Sequence, residues 1–128
     1  EQHLTDPQVT FAAIAQRKVN GLFIPPSALA YAQRESLGRL ALAARLPACA
    51  AGDRHVETGA LMSYAPNLAA LMRRVAYYVD RILKGASPAE LPIERPVTFE
   101  LVVNMKTAKA LRLKIPQSVL ARTDEVIN

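Results

Sequence analysis

The run PACAAGDRHVETGALMSYAPN, residues 47–67, decides the fold. Pro47 to Ala51 is small and apolar throughout, which reads as a buried strand. Gly52-Asp53 breaks it, and Arg54 to Glu57 fits a single short turn of helix before Thr58-Gly59. Ala60 to Tyr64 is apolar again and reads as a second buried strand, and Pro66-Asn67 then opens a helix. Strands that are apolar on both faces belong to a sheet covered on both sides.

The same grammar extends outward. Upstream, Asp6-Pro7 is a helix start, Phe11, Ile14 and Ala15 recur at helical spacing, and Asn20-Gly21 stops the helix. Leu22-Phe23-Ile24 is a further buried strand, ended by Pro25-Pro26, because proline has no N–H for a ladder. Ser27 is placed to cap a helix over roughly Ala28 to Arg45, with its stripe at Leu37, Leu40, Ala41 and Ala44. Downstream, Leu68, Leu71, Met72, Val75, Val79, Ile82 and Leu83 keep the i, i+3, i+4 rule, with Asn67 as the cap and Gly85 as the stop. Pro88, Pro92 and Pro96 punctuate a stiff connector. Phe99 to Val103 reads as a fourth strand, Asn104 to Leu111 as a helical stretch, and Gln117 to Ile127 as a closing helix. Three apolar strands alternating with helices predict an α/β lobe with a parallel sheet in three layers.

Composition narrows the function. The chain has 128 residues, 51% of them hydrophobic and 21% charged, with a net charge of +5. This describes a globular domain and excludes a disordered tail. No apolar run approaches the ~18 residues of a membrane span. Lys106, Lys109, Arg112 and Lys114 fall close together and read as a solvated face. With 5% aromatic residues and no Trp, a base-stacking platform is not expected, so nucleic acid is excluded as a partner. The single thiol, Cys49, lies in a small apolar run and reads as core. The chain opens on Glu1-Gln2-His3 with no Met and no signal-like stretch, which reads as the middle of a longer protein.

Ligands of open α/β sheets bind outside the carboxyl ends of the strands. Three segments occupy that edge: Pro25 to Ser27, Gly52 to Arg54 and Ser63 to Asn67. Ser27, Asp53, Ser63, Tyr64 and Asn67 supply hydroxyls, a carboxylate, an amide and one ring, a set suited to a polar or zwitterionic small molecule. Ser27 and Asn67 read equally well as helix caps. Glycine-rich phosphate loops and nucleophile elbows are absent, so no catalytic residue is assigned. His55, between Asp53 and Glu57, reads as a solvated loop residue, and neither a metal site nor a cofactor is expected.

Residues 59–67, GALMSYAPN, are similar to the GGLMSYGPN segment of a family of substrate-binding proteins of ABC transporters. YVDRILKG (78–85), LPIERP (91–96), FELVVN (99–104), KTAKAL (106–111) and LARTDEV (120–126) match further motifs of that family in order. The resemblance implies the type I periplasmic-binding-protein fold, with two α/β lobes around a cleft. Residues 1–128 would be the carboxy-terminal lobe, with the 67–85 helix crossing to the amino-terminal lobe. It implies a solute-binding role for an importer, outside the cytoplasmic membrane, with ABC permease subunits as partners and Ser27, Asp53, Ser63, Tyr64 and Asn67 on cleft-lining segments. Relatives near this pattern are associated with aromatic amino acids. The chain departs from the pattern at Pro26-Ser27, where relatives often carry Asp, and at Ala65, where they carry Gly. The alternative role on the same fold is a ligand-sensing regulatory domain. The stripe of the 67–85 helix, left without the other lobe, predicts a two-fold homodimer of this chain.

Overall fold

The computed structural model describes residues 6–128; Glu1 to Thr5, His3 among them, lie outside the described residues. The chain divides into two compact units, one running through Ala65 and resuming at Glu100–Asn128, the other Pro66–Phe99.

In the first unit, α1 (Pro7–Ala15) starts where Asp6 accepts a hydrogen bond from the Gln8 N–H and Pro7 takes the first turn. Next come β1 (Leu22–Ile24), α2 (Ala28–Ala32), α3 (Arg34–Ala43), β2 (Ala48–Ala50), α4 (Asp53–Glu57) and β3 (Met62–Pro66). β1, β2 and β3 pair in parallel, in the order the apolar runs predict. Phe11, Ile24, Ala41, Leu46, Ala48, Ala50 and Ala60 form the core, in which α1 and α3 close over one face of the sheet. The helix expected over Ala28 to Arg45 is two helices. Gln33 leaves helical geometry (φ −100°, ψ 11°), and the Arg34 carbonyl at the start of α3 accepts from the Thr58 hydroxyl at 3.1 Å.

The return half of this unit holds β4 (Phe99–Asn104), α6 (Met105–Ala110), α7 (Gln117–Leu120) and β5 (Glu125–Ile127). The Asn104 N–H donates to the Leu61 carbonyl at 2.9 Å, so the end of β4 meets the start of β3 and the two run in opposite senses. β5 replaces the second half of the expected closing helix. Val126 and Ile127 pair in parallel with Val103 and Asn104, and Asp124 bonds Leu101 through its N–H and its carboxylate. β-Branched residues opposite a buried strand gain more there than in a fourth helical turn.

α3 approaches the turn after α4 closely. A Cβ on Gly38 would sit 2.1 Å from the Thr58 carbonyl oxygen, so only glycine fits at this mid-helix position. α4 carries His55 and Val56 inward. His55 is therefore not the solvated loop residue its neighbours suggest. It is 5% exposed, its ring stands edge-on to Tyr31 at 6.5 Å, and neither ring nitrogen has a hydrogen-bond partner among the described residues. Five residues are too few for a face to show in sequence.

In the second unit, α5 (Leu68–Leu83) is capped by Asn67, whose side-chain oxygen accepts from the Ala70 N–H at 2.6 Å. It ends at Gly85 (φ 95°), with the Ala86 N–H returning to the Arg81 carbonyl. This closes the last turn as the left-handed glycine cap does generally. A 3₁₀ turn (Pro88–Glu90) leads into an extended segment held along α5 by two contacts. Arg74 grips the Glu94 carboxylate through two nitrogens, and the Tyr78 hydroxyl donates to the Pro92 carbonyl at 2.6 Å. No residue of α5 is buried, and Leu68, Met72, Val75, Val79 and Ile82 lie exposed.

Three consequences are open to measurement. Gly38→Ala, which would stabilise an ordinary helix, is expected to destabilise this one by about 1–3 kcal/mol in urea unfolding, because the backbone must shift. His55→Leu is expected to leave stability unchanged or raise it, since it removes buried nitrogens without partners, whereas His55→Ala loses the packing and about 2 kcal/mol or more. Arg74 holds the Glu94 carboxyl below its ordinary value, first through the direct hydrogen bond. The contribution is thus present above the ordinary carboxylate range and lost as pH falls through the lowered value. Nuclear magnetic resonance spectra of residues 91–98 should show the segment releasing from α5 on acidification, and Glu94→Gln should abolish that transition.

Candidate functional site

The parallel register of β1–β3 sets their carboxyl ends side by side, Ile24 against Ala50 and Ala50 against Ser63. The loops leaving those ends carry Ser27 and Asp53. Both lie exposed, Ser27 before α2 and Asp53 as the first residue of α4. The Ser27 hydroxyl oxygen accepts from the Ala30 N–H at 3.0 Å and so caps α2. The Asp53 carboxylate accepts from the Arg54 N–H at 2.7 Å, and Arg54 reaches Glu57 at 3.6 Å. These local contacts lie at the α4 start, and the one accepted bond leaves the Asp53 carboxylate with further acceptor capacity.

Neighbours on a strand point to opposite faces, and Ser63 and Tyr64 show the consequence. Ser63, opposite Ala50, is 1% exposed and belongs to the interior, whereas Tyr64 is 61% exposed. Asn67 belongs to the second unit and caps α5. Of the five sequence-derived residues, Ser27 and Asp53 thus share the sheet edge, Tyr64 stands exposed on β3, Ser63 lies beneath the surface, and Asn67 is placed by the start of α5. Tyr31 and His55 were not singled out for this edge. Tyr31 is exposed on α2, with the Arg34 guanidinium 4.8 Å from its ring centre and His55 edge-on beneath it. Tyr31 lies inside the single helix expected over Ala28 to Arg45 and off its apolar stripe, so the sequence does not single it out.

Cys49 sits in register between Phe23 and Met62. It is half-buried, and burial pushes its thiol pKa up, which makes the thiolate scarce. Among the described residues, no group of three or more His, Cys, Asp or Glu side chains is placed to hold a metal ion. The second unit has its own concavity of about 510 Å³ between α5 and residues 92–98, largely apolar, with the Arg74–Glu94 pair in its wall. The Glu94 carboxylate pushes the Arg74 pKa up, first through the direct hydrogen bond and against the opposing effect of desolvation.

Comparisons with known proteins fit this geometry. Residues 2–127 match the family model described as ABC transporter substrate binding protein. The fold is similar to a conserved domain protein from Vibrio cholerae, with a TM-score of 0.88 and 28% identity over 96% of this chain and 41% of that one. It is also similar to an ABC domain in complex with L-Trp from Streptococcus pneumoniae (TM-score 0.87, 24% identity, 98% of this chain and 41% of that one). A ligand-free, open substrate-binding protein with adhesive properties from Clostridium difficile aligns at a TM-score of 0.68 and 22% identity, over 96% of this chain and 42% of that one. The chain thus spans about two fifths of the length of these proteins. No curated protein matches. Among the described residues, no helix is long and apolar enough to cross a membrane. The lobe, its strand order and the match from residue 2 to residue 127 together make this chain a member of the ABC transporter substrate-binding protein family.

Proposed function

We propose that the chain forms the carboxy-terminal lobe of the solute-binding component of an ABC importer, working outside the cytoplasmic membrane with ABC permease subunits. The observation that carries this reading is the family match over nearly the whole chain. The solute is small and polar or amino-acid-like. Asp53 would meet an ammonium group, the Ser27 hydroxyl a carboxylate, and Tyr64 the side chain, with Asn67 at the start of α5 completing the grip and Ser63 supporting from beneath. The L-Trp bound by the Streptococcus pneumoniae neighbour supports an amino acid as the class.

In this reading Pro66–Phe99, with the 67–85 helix, belongs with the other lobe. The boundaries at Ala65 and Glu100 fall at or in β3 and β4, which would serve as crossing strands. Closure of the two lobes on solute would turn about them. For the 128-residue chain alone, the exposed stripe of α5 would pair with a second copy.

Titration of the chain with L-tryptophan and with other amino acids, followed by nuclear magnetic resonance, should shift the amides of Gly52, Asp53 and Tyr64. Tyr64→Ala should weaken the interaction about tenfold, an effect of about 1.4 kcal/mol. A rim unperturbed by every amino acid and small polar solute tried would refute the solute reading. Sedimentation should show a dimer that Val75→Lys returns to monomer; a monomer at high concentration would refute the pairing.

A further inference from the structure

The pair Asn20-Gly21, which in sequence reads as a helix stop, has no capping task. α1 ends at Ala15 and takes its cap from Gln16, and residues 16–21 form a connector without helix or strand. Arg17 to Gly21 are all exposed. Among the described residues, no hydrogen bond uses the Asn20 side chain or the Gly21 N–H. The sheet ladder begins one residue later, where the Leu22 N–H donates to the Pro47 carbonyl at 2.9 Å.

Asn67 and Asn104 are placed differently. They are followed by Leu68 and Met105, and each side-chain oxygen is held by a backbone N–H, of Ala70 and of Thr107. Asn104 is also buried, and its side-chain nitrogen donates to the Val56 carbonyl.

An asparagine followed by glycine has an internal reaction open to it. The Gly21 nitrogen, having lost its proton to hydroxide, attacks the Asn20 Cγ. The new nitrogen–carbon bond closes a succinimide ring, the bond from Cγ to the side-chain nitrogen breaks, and that nitrogen leaves as ammonia with a proton from water. Water then opens the ring at either of its carbonyls. One opening yields an aspartate; the other yields an isoaspartate, in which the main chain runs through Cγ. In sum one water is taken up and one ammonia released, and no oxidant or metal takes part.

The rate depends on an attacking nitrogen free of hydrogen bonds, on a following residue with no side chain to block the approach, and on main-chain freedom to bring the two atoms together. Glycine supplies the second and the third, and the exposed connector supplies the first. We propose that Asn20-Gly21 is a site of spontaneous deamidation, at which the folded chain converts to aspartate and isoaspartate.

The place gives this chemistry a structural effect. β1 is a three-residue edge strand that starts directly after Gly21, and its Ile24 belongs to the core. An edge strand is paired on one side only. An isoaspartate lengthens the main chain by one carbon just before the first ladder bond, which loosens β1. An aspartate keeps the spacing and only lowers the formal net charge of +5 by one.

Incubation of the 128-residue chain at neutral and at mildly alkaline pH tests this, read by cation exchange and by mass spectrometry of the tryptic peptide 19–34. A species of lower positive charge should accumulate, faster at the higher pH, with both aspartate and isoaspartate at position 20. The peptides that contain Asn67 and Asn104 should stay unchanged. Conversion should keep pace with that of a free peptide of residues 19–34, which has no fold to protect it. Asn20→Gln, which would have to close a larger and slower ring, should abolish the new species. Gly21→Val should slow it severalfold, because a branched side chain crowds the approach; a Cβ there lies 3.4 Å from the Pro47 oxygen, so the fold has room for it. The isoaspartate form should unfold at a lower urea concentration than fresh protein, and Asn20→Asp at the same one. Strong protection of Asn20 relative to the free peptide, equal conversion at Asn67 or Asn104, or aspartate without isoaspartate would each overturn the proposal. An isoaspartate form as stable as fresh protein would overturn the effect on β1.

Discussion

Asn104 is the residue through which the two halves of the sheet are joined. It is almost fully buried, and its N–H and both polar atoms of its side chain are engaged at the end of β4. Its N–H fixes the strand to Leu61, its side-chain nitrogen donates to the Val56 carbonyl at 2.8 Å, and its side-chain oxygen accepts from the Thr107 N–H at 3.0 Å. Thr107 in turn donates to the Gly59 carbonyl at 3.2 Å. One amide thus ends a strand, starts α6 and holds the turn that leads into β3. Buried polar groups of this kind are costly when left unmade, about 1–3 kcal/mol each. The turn they hold is the one against which Gly38 packs α3 without room for a methyl group. The carboxyl-end edge of the sheet inherits its geometry from this junction, because β3 begins just after it and Tyr64 lies four residues further on than Ala60.

The two units are stabilised by different means. The first has a buried core and obligatory close contacts. In the second, α5 has no buried residue and depends on the Asn67 cap, the Gly85 stop and the Arg74 contacts with Glu94, Tyr77 and Tyr78. An isolated 16-residue helix is marginal in water, where most helical stability comes from burying an apolar face. The strong apolar stripe of α5 is therefore a sequence feature that this unit by itself leaves uncovered.

Much of this was legible in the residues themselves. Leu22-Phe23-Ile24 and Pro47 to Ala51 are apolar runs closed by Pro25-Pro26 and Gly52, and α5 repeats its pattern for more than four turns. Caps at Asp6, Ser27, Asn67 and Asn104 were all readable because a short polar side chain in the right place has a single local task. What was not legible depended on distant partners. Glu125-Val126-Ile127 is a strand only because Val103 and Asn104 lie beside it. Gln33 ends α2 without a Gly or Pro to announce it. Ser63 and Tyr64 look equivalent as neighbours, yet strand pleating sends one into the core and the other outward.

Capping does not exhaust the Ser27 hydroxyl. Its oxygen accepts the Ala30 N–H, which satisfies one helix donor. A hydroxyl also has a proton to give. The cap restricts the rotamer of the side chain, which lowers the entropy left to lose in any further contact. Asp53 accepts one bond from the Arg54 N–H, and a carboxylate so engaged keeps further acceptor capacity. Residues that begin helices at the carboxyl ends of parallel strands are thus held in place by their own local bonds.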